Sequence, residues 1–169
     1  MTARGTHAER VFSSERGLLR RTAVTALAVA ASTAVYFALP LGVFDVRGTW
    51  AFVGAFAAGL VVVAVVIVRQ VRRFRSGGVA LTGVLISLYL AVLFFAAVYC
   101  ALNAHWPGSI ASLRTKVDAL YFALSITSTV GFGDVHASSQ AARVLVGVHL
   151  VFNLGFLGAA VTAVRNATR

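Results

Sequence analysis

Residues 127–134 read TSTVGFGD, in a chain that is otherwise mostly hydrocarbon. Two glycines flank a phenylalanine, hydroxylated residues and a valine precede them, and an aspartate follows. So polar and permissive a run takes its meaning from its surroundings. Of 169 residues, 59% are hydrophobic and 12% are charged, against about 25% charged in soluble proteins. A soluble domain is excluded on that ground. The formal charge of +10 then reads as arginines flanking a membrane rather than as a nucleic-acid face. Cys100 stands alone, so there is no disulfide framework. His7, His105, His136 and His149 are scattered, without metal-ligand spacing.

Outward from the run, four apolar stretches are each long enough to cross a hydrocarbon core, which takes roughly 20 helical residues. A basic segment, 1–21, precedes a two-helix region, 22–68, whose stretches (22–44 and 49–68) are joined by the connector 45–48. A basic knot, RQVRRFRSGG at 69–78, leads to a third stretch at 79–102. The fourth, 141–164, ends against Arg165 and a tail at 166–169. Helices are the form these stretches can take, since lipid offers their backbone no hydrogen bonds. The arginine-rich start and AVAASTA resemble a cleaved signal, but the apolar length fits a full span and more spans follow. Eleven basic residues flank one side of this arrangement and four the other. The expectation is a multi-pass protein of the plasma membrane with both termini cytoplasmic. Arg69, Arg72 and Arg75 imitate a voltage-sensing helix in spacing, but they lie beyond the apolar stretch and read as a positive-inside anchor. The chain has one lysine, Lys116, against fourteen arginines.

Residues 103–140 are too long for a tight connection and too apolar for a plain loop. NAHWPGSIASLR reads as an exposed turn region around Pro107-Gly108. The next residues predict a short helix at 115–127, with Thr115 and Asp118 approximating a capping box. Its apolar part, about ten residues, is too short to span and fits a re-entrant element. The helix would enter the membrane, stop partway and hand over to TSTVGFGD. Irregular backbone at that depth is tolerated where protein buries it or where it lines a watery path.

Aligning successive carbonyls on one axis requires alternating right- and left-handed backbone. Glycine adopts positive φ without penalty, and Gly131 and Gly133 stand at alternate positions. Thr129 adds a hydroxyl below the carbonyls and Asp134 a carboxylate at the outer mouth. Rings of oxygens can replace the hydration shell of an alkali cation. The short helix aims the negative end of its dipole the same way.

TVGFGD at 129–134 resembles the selectivity-filter signature of potassium channels, for which carbonyl coordination by a TVGYG loop is the established mechanism. The wider run DALYFALSITSTVGFGD, 118–134, is similar to the pore-helix-plus-filter segment of the bacterial type. Residues 79–165 thereby resemble a two-helix pore domain: outer helix 79–102, pore helix 115–127, filter 129–134 and inner helix 141–164, preceded by two extra transmembrane helices. The resemblance implies an all-α membrane protein with four transmembrane helices, a re-entrant pore helix and a filter loop, assembled as a homotetramer. It implies passive potassium conduction. K+ would be held by carbonyls of Thr129, Val130, Gly131 and Phe132 and by the Thr129 hydroxyl, with Gly133 completing the filter. Asp134 would stand at the outer mouth, and Tyr121, Phe122, Ser125 and Ser128 would support the pore helix. Asn153 lies near a hinge glycine of many relatives, with Gly155 and Gly158 close by. The implied partners are potassium ions, membrane lipids and further copies of the chain, with no nucleic acid and no cofactor.

The departures matter. Phe132 replaces tyrosine, removing a hydroxyl brace. Ser125 stands where some relatives bury a glutamate. His149 and Asn153, four apart, share a helix face and suit either an inner cavity or helix-to-helix hydrogen bonds. A weakly selective monovalent cation channel would keep every feature named, whereas a non-conducting accessory subunit would leave the alternate glycines without purpose. None of the five acidic residues lies within the four spans, which argues against an enzyme, since chemistry at membrane depth needs ionisable groups. With Arg169 following the last span directly, no cytoplasmic regulatory domain is expected.

Overall fold

The computed structural model describes residues 81–167 continuously and, ahead of them, the helical residues 23, 26–38, 53–54, 56–62, 65 and 69. The basic segment 1–21, the rest of the first two predicted spans, the loop 70–78 and residues 168–169 lie outside the described residues. Helix α1 is Ala26–Ala38 and α2 comprises residues 56–62. Helices α3 (Leu81–His105), α4 (Lys116–Thr127) and α5 (Gln140–Ala167) follow, with two short strands, β1 (Ile110–Ala111) and β2 (His136–Ala137). The protein is mostly helical. Among the described residues, two helices are long and apolar enough to cross a membrane, Gly83–His105 in α3 and Gln140–Gly158 in α5.

The end of α3 and the starts of α4 and α5 have local causes. After α3 the chain meets Pro107, which cannot donate to a helix, and then Gly108 at φ +82°. The first turn of α4 is closed by a full capping box: Asp118 N–H donates to Thr115 Oγ1 at 3.2 Å, and Thr115 N–H donates to Asp118 Oδ2 at 2.7 Å. Arg114 N–H adds a second bond to the same carboxylate oxygen at 2.9 Å. Helix α5 is capped by Ser139, whose Oγ accepts from Ala142 N–H at 3.1 Å.

The turn region after α3 is less exposed than its sequence suggests. Ser109, Ile110 and Leu113 are buried. Strand β1 pairs antiparallel with β2, Ile110 opposite Ala137 and Ala111 opposite His136. Asn103 clamps the loop from inside, taking Ile110 N–H at 3.1 Å and donating to the Leu113 carbonyl at 3.0 Å. Burying two large apolar side chains outweighs the turn's preference for water, and the asparagine satisfies backbone that goes in with them.

Fully buried alanines, Ala96, Ala119, Ala123 and Ala142, let α3, α4 and α5 approach closely around Phe95, Tyr99 and Phe122. Helices α1 and α2 lie against α3. Tyr89 OH meets Thr33 Oγ1 at 2.6 Å, and the Phe56 and Phe94 rings stack at 6.1 Å. A side chain on Gly59 would strike the Phe94 ring.

The capping box carries a pH signature. Backbone hydrogen bonds from Arg114 and then Thr115 hold the Asp118 carboxyl below the usual carboxylate range. A depressed folded pKa contributes stability that is present above the unfolded value and is lost as pH falls through the folded one. Asp118→Asn is therefore expected to cost about 1 kcal/mol at neutral pH, with the gap to wild type closing in acid below the ordinary carboxylate range. Thermal denaturation of the detergent-solubilised proteins against pH measures it, and a gap that persists in acid contradicts this account.

Candidate functional site

Helix α4 stops at Thr127, and Ser128 caps it in the right-handed region at φ −77°. From there the backbone alternates. Thr129, Gly131 and Gly133 have φ of +60°, +58° and +85°, while Val130 and Phe132 between them do not share the left-handed region. The glycines are where the stereochemical argument requires them. Thr129 is the unanticipated member, a β-branched residue held left-handed at roughly 1–2 kcal/mol of strain. Such strain persists where surrounding structure over-determines it, and it gathers at functional sites.

The determining contacts come from the end of α4. The Ser125 carbonyl accepts Val130 N–H at 3.1 Å and Gly131 N–H at 3.2 Å, and the Ile126 carbonyl accepts Thr129 N–H at 3.1 Å. Ser128 Oγ also reaches the Ser125 carbonyl, at 3.3 Å. Helix-end carbonyls that lack partners thus capture the amides of the loop. With their N–H groups turned back, the loop residues present their carbonyls elsewhere. Among the described residues, the carbonyls of Thr129, Val130, Gly131 and Phe132 accept no hydrogen bond. Residues 129–134 are all exposed in the single chain. Four successive unpartnered carbonyl oxygens, preceded by a hydroxyl, can act chemically as hard ligands for a cation.

At the outer end, the Gly133 carbonyl lies 3.1 Å from His136 Nδ1. Tyr121 OH donates to Asp134 Oδ1 at 3.1 Å, and its ring stacks on Phe132 with centroids 5.8 Å apart and planes 11° from parallel. Tyr121 therefore contacts both Phe132 and Asp134, although Phe132 has no hydroxyl of its own. Phe122 is buried, its ring centroid 4.8 Å from that of Tyr99 on α3. Ser125 is buried too, with Oγ spent on the Phe122 carbonyl at 2.8 Å. Its functional contact is its main-chain oxygen, which side-chain chemistry could not have indicated.

A second network, built on His149 and Asn153 of one helix face, lies behind the loop. His149 of α5 is 1% exposed and stacks on Phe95 of α3 with centroids 3.7 Å apart. Its Nε2 lies 3.1 Å from Thr127 Oγ1, and Thr127 gives its own proton to the Ala123 carbonyl at 2.8 Å. Nε2 is accordingly the donor, and Nδ1 lies 3.0 Å from Tyr99 OH. One imidazole joins α3, α4 and α5. Asn153 Nδ2 reaches the Ile126 carbonyl at 3.4 Å. Of the two roles open to His149 and Asn153, both make helix-to-helix hydrogen bonds. Helix α5 runs without a break through Asn153, Gly155 and Gly158, and among the described residues no atom beyond the helix's own backbone lies within 4 Å of a Cβ placed on either glycine.

Residues 86–169 match the family described as Ion channel. The carboxy-terminal part of the chain, just under half of it, is thus similar to an ion channel domain, and ion channels are not a class of enzymes. Over 39 residues the chain is 41% identical to potassium channel AKT2/3 of Arabidopsis thaliana, a match covering 23% of this chain and 5% of that protein. The chain thus spans a small fraction of that relative's length. No solved structure matches.

Proposed function

We propose that this protein is a potassium-selective channel in which four copies bring residues 129–133 together around one axis. The observation that carries the reading is the alternation of left-handed backbone at 129, 131 and 133 beside four carbonyls with no protein partner. One chain offers one such loop, and a cage of carbonyl rings requires several, for which a closed homotetramer is the economical symmetry. Helix α5 presents an apolar face, open to lipid or to a further copy: Val144, Val151, Leu154 and Leu157 are each more than 60% exposed in the single chain. K+ would be bound by Thr129, Val130, Gly131 and Phe132, and conduction would be passive. Bi-ionic reversal potentials of the purified protein in planar bilayers, potassium against sodium, test it directly. A current with equal permeability to both ions would favour a weakly selective cation channel instead.

The same reading places four spans in the plasma membrane, both termini in the cytoplasm and the connection from His105 to Arg114 outside. Ser109 is buried, so an impermeant thiol reagent needs a different position. Ser112 is exposed. Ser112→Cys is expected to label from outside intact cells, and labelling only after permeabilisation would reverse the orientation.

A further inference from the structure

The first helix takes no part in the site described above, and its contacts supply it with a role. Lys116, the single lysine of the chain, is the first residue of α4. A cation there opposes that helix's own dipole, whose amino end is positive. The ammonium is instead placed for a neighbour. Its Nζ donates to the carbonyls of Tyr36 at 3.1 Å and Phe37 at 2.7 Å, in the last turn of α1. Carbonyls at a helix end lack intrahelical donors, and residue 40, four after Tyr36, is a proline with no N–H to give. Lys116 thus satisfies the negative end of α1. The contact is reciprocal: Tyr36 OH donates to the Lys116 carbonyl at 2.8 Å and lies 3.7 Å from Cys100 Sγ of α3. Tyr36 is only 5% exposed, so its ring is seated between the elements rather than resting on a surface.

We propose that α1 is a positioning element for the filter, acting through a Lys116–Tyr36 latch on the amino end of α4. The proposal rests on the channel reading above. Helix α4 has 12 residues, a rod of about 18 Å. At its far end the Ser125 carbonyl holds the Val130 and Gly131 amides. A rod tied at one end to α1 and at the other to the loop transmits the placement of α1 to the carbonyls of residues 129–132. Lys116 and Tyr36 are positioning residues in this scheme, and neither touches the ion.

The test uses full-length protein, wild type and variant, assembled as in wild type by size-exclusion chromatography, with reversal potentials recorded in potassium and sodium gradients. Lys116→Met, which keeps the stem and removes the charge, is expected to lower the potassium-over-sodium permeability ratio about tenfold, the scale of a lost charge-assisted hydrogen bond. Tyr36→Phe, which keeps the ring, is expected to lower it about threefold, as for a neutral bond. Lys116→Arg, which can still donate to both carbonyls, is expected to stay near wild type. This rescue separates positioning from a general loss of packing. Should Lys116→Met fail to assemble, Tyr36→Phe decides alone. Unchanged ratios in Lys116→Met and Tyr36→Phe overturn the latch, as does a loss in Lys116→Arg equal to that in Lys116→Met. Wild-type protein that assembles but carries no selective current defeats the channel reading itself, which keeps the two failures apart.

Discussion

Gly131→Ala is expected to abolish potassium selectivity, lowering the potassium-over-sodium permeability ratio by at least tenfold or eliminating current. Among the described residues of the protomer, a Cβ on Gly131 meets no atom beyond its chain neighbours within 4 Å, so steric collision there is not the cause. The cause is φ of +58°, which costs an alanine roughly 1–2 kcal/mol. Thr129 already carries a similar strain at φ +60°. In the proposed ring of four copies, the added cost is roughly 4–8 kcal/mol, comparable with the whole stability of many domains at about 5–15 kcal/mol. The alternating conformer is then no longer the favoured one. Phe132→Tyr adds a hydroxyl without altering any φ and is expected to keep selectivity at least at the wild-type value. Bi-ionic reversal potentials rank the three proteins. Unchanged potassium preference in Gly131→Ala would falsify the assignment of 129–133 as the filter.

His149→Ala is expected to destabilise the detergent-solubilised protein by about 3 kcal/mol, the range for emptying a packed site. Thr127→Val and Tyr99→Phe, each removing one hydrogen bond while keeping volume, are expected to cost about 1 kcal/mol. The difference identifies which effect dominates. Hydrogen bonds between helices in a membrane are worth about 0.6 kcal/mol on average, whereas truncating the imidazole also removes the ring stacked at 3.7 Å on Phe95. Packing should therefore outweigh polarity at this junction. Thermal melts followed by loss of assembled protein give the comparison. Equal losses in Thr127→Val and His149→Ala would show instead that the bond to the end of α4 holds the three helices together.

Much of the site was legible because its causes are local. Gly131 and Gly133 need no partner to specify positive φ, since the absence of a Cβ suffices. Thr115 and Asp118, three apart, close a capping box within one turn, and uninterrupted apolar length marks α3 and α5. Other features depend on residues far apart in the chain. The left-handed Thr129 is contrary to β-branched preference, and it exists beside amides held by carbonyls at the end of α4. Ile110 and Ala111 read as part of an exposed turn region, but β2, some 25 to 27 positions onward, pairs with them. His149 shares a helix face with Asn153 in the sequence, but which partners it meets was not legible there, since they lie 50 and 22 residues away. Lys116 read as one more basic residue, and its partner helix lies about 80 residues earlier. Composition and spacing determine conformation over a turn or two, because steric and capping energies act at that range. Which carbonyl meets which donor across helices is decided by packing, which brings distant residues within hydrogen-bonding reach.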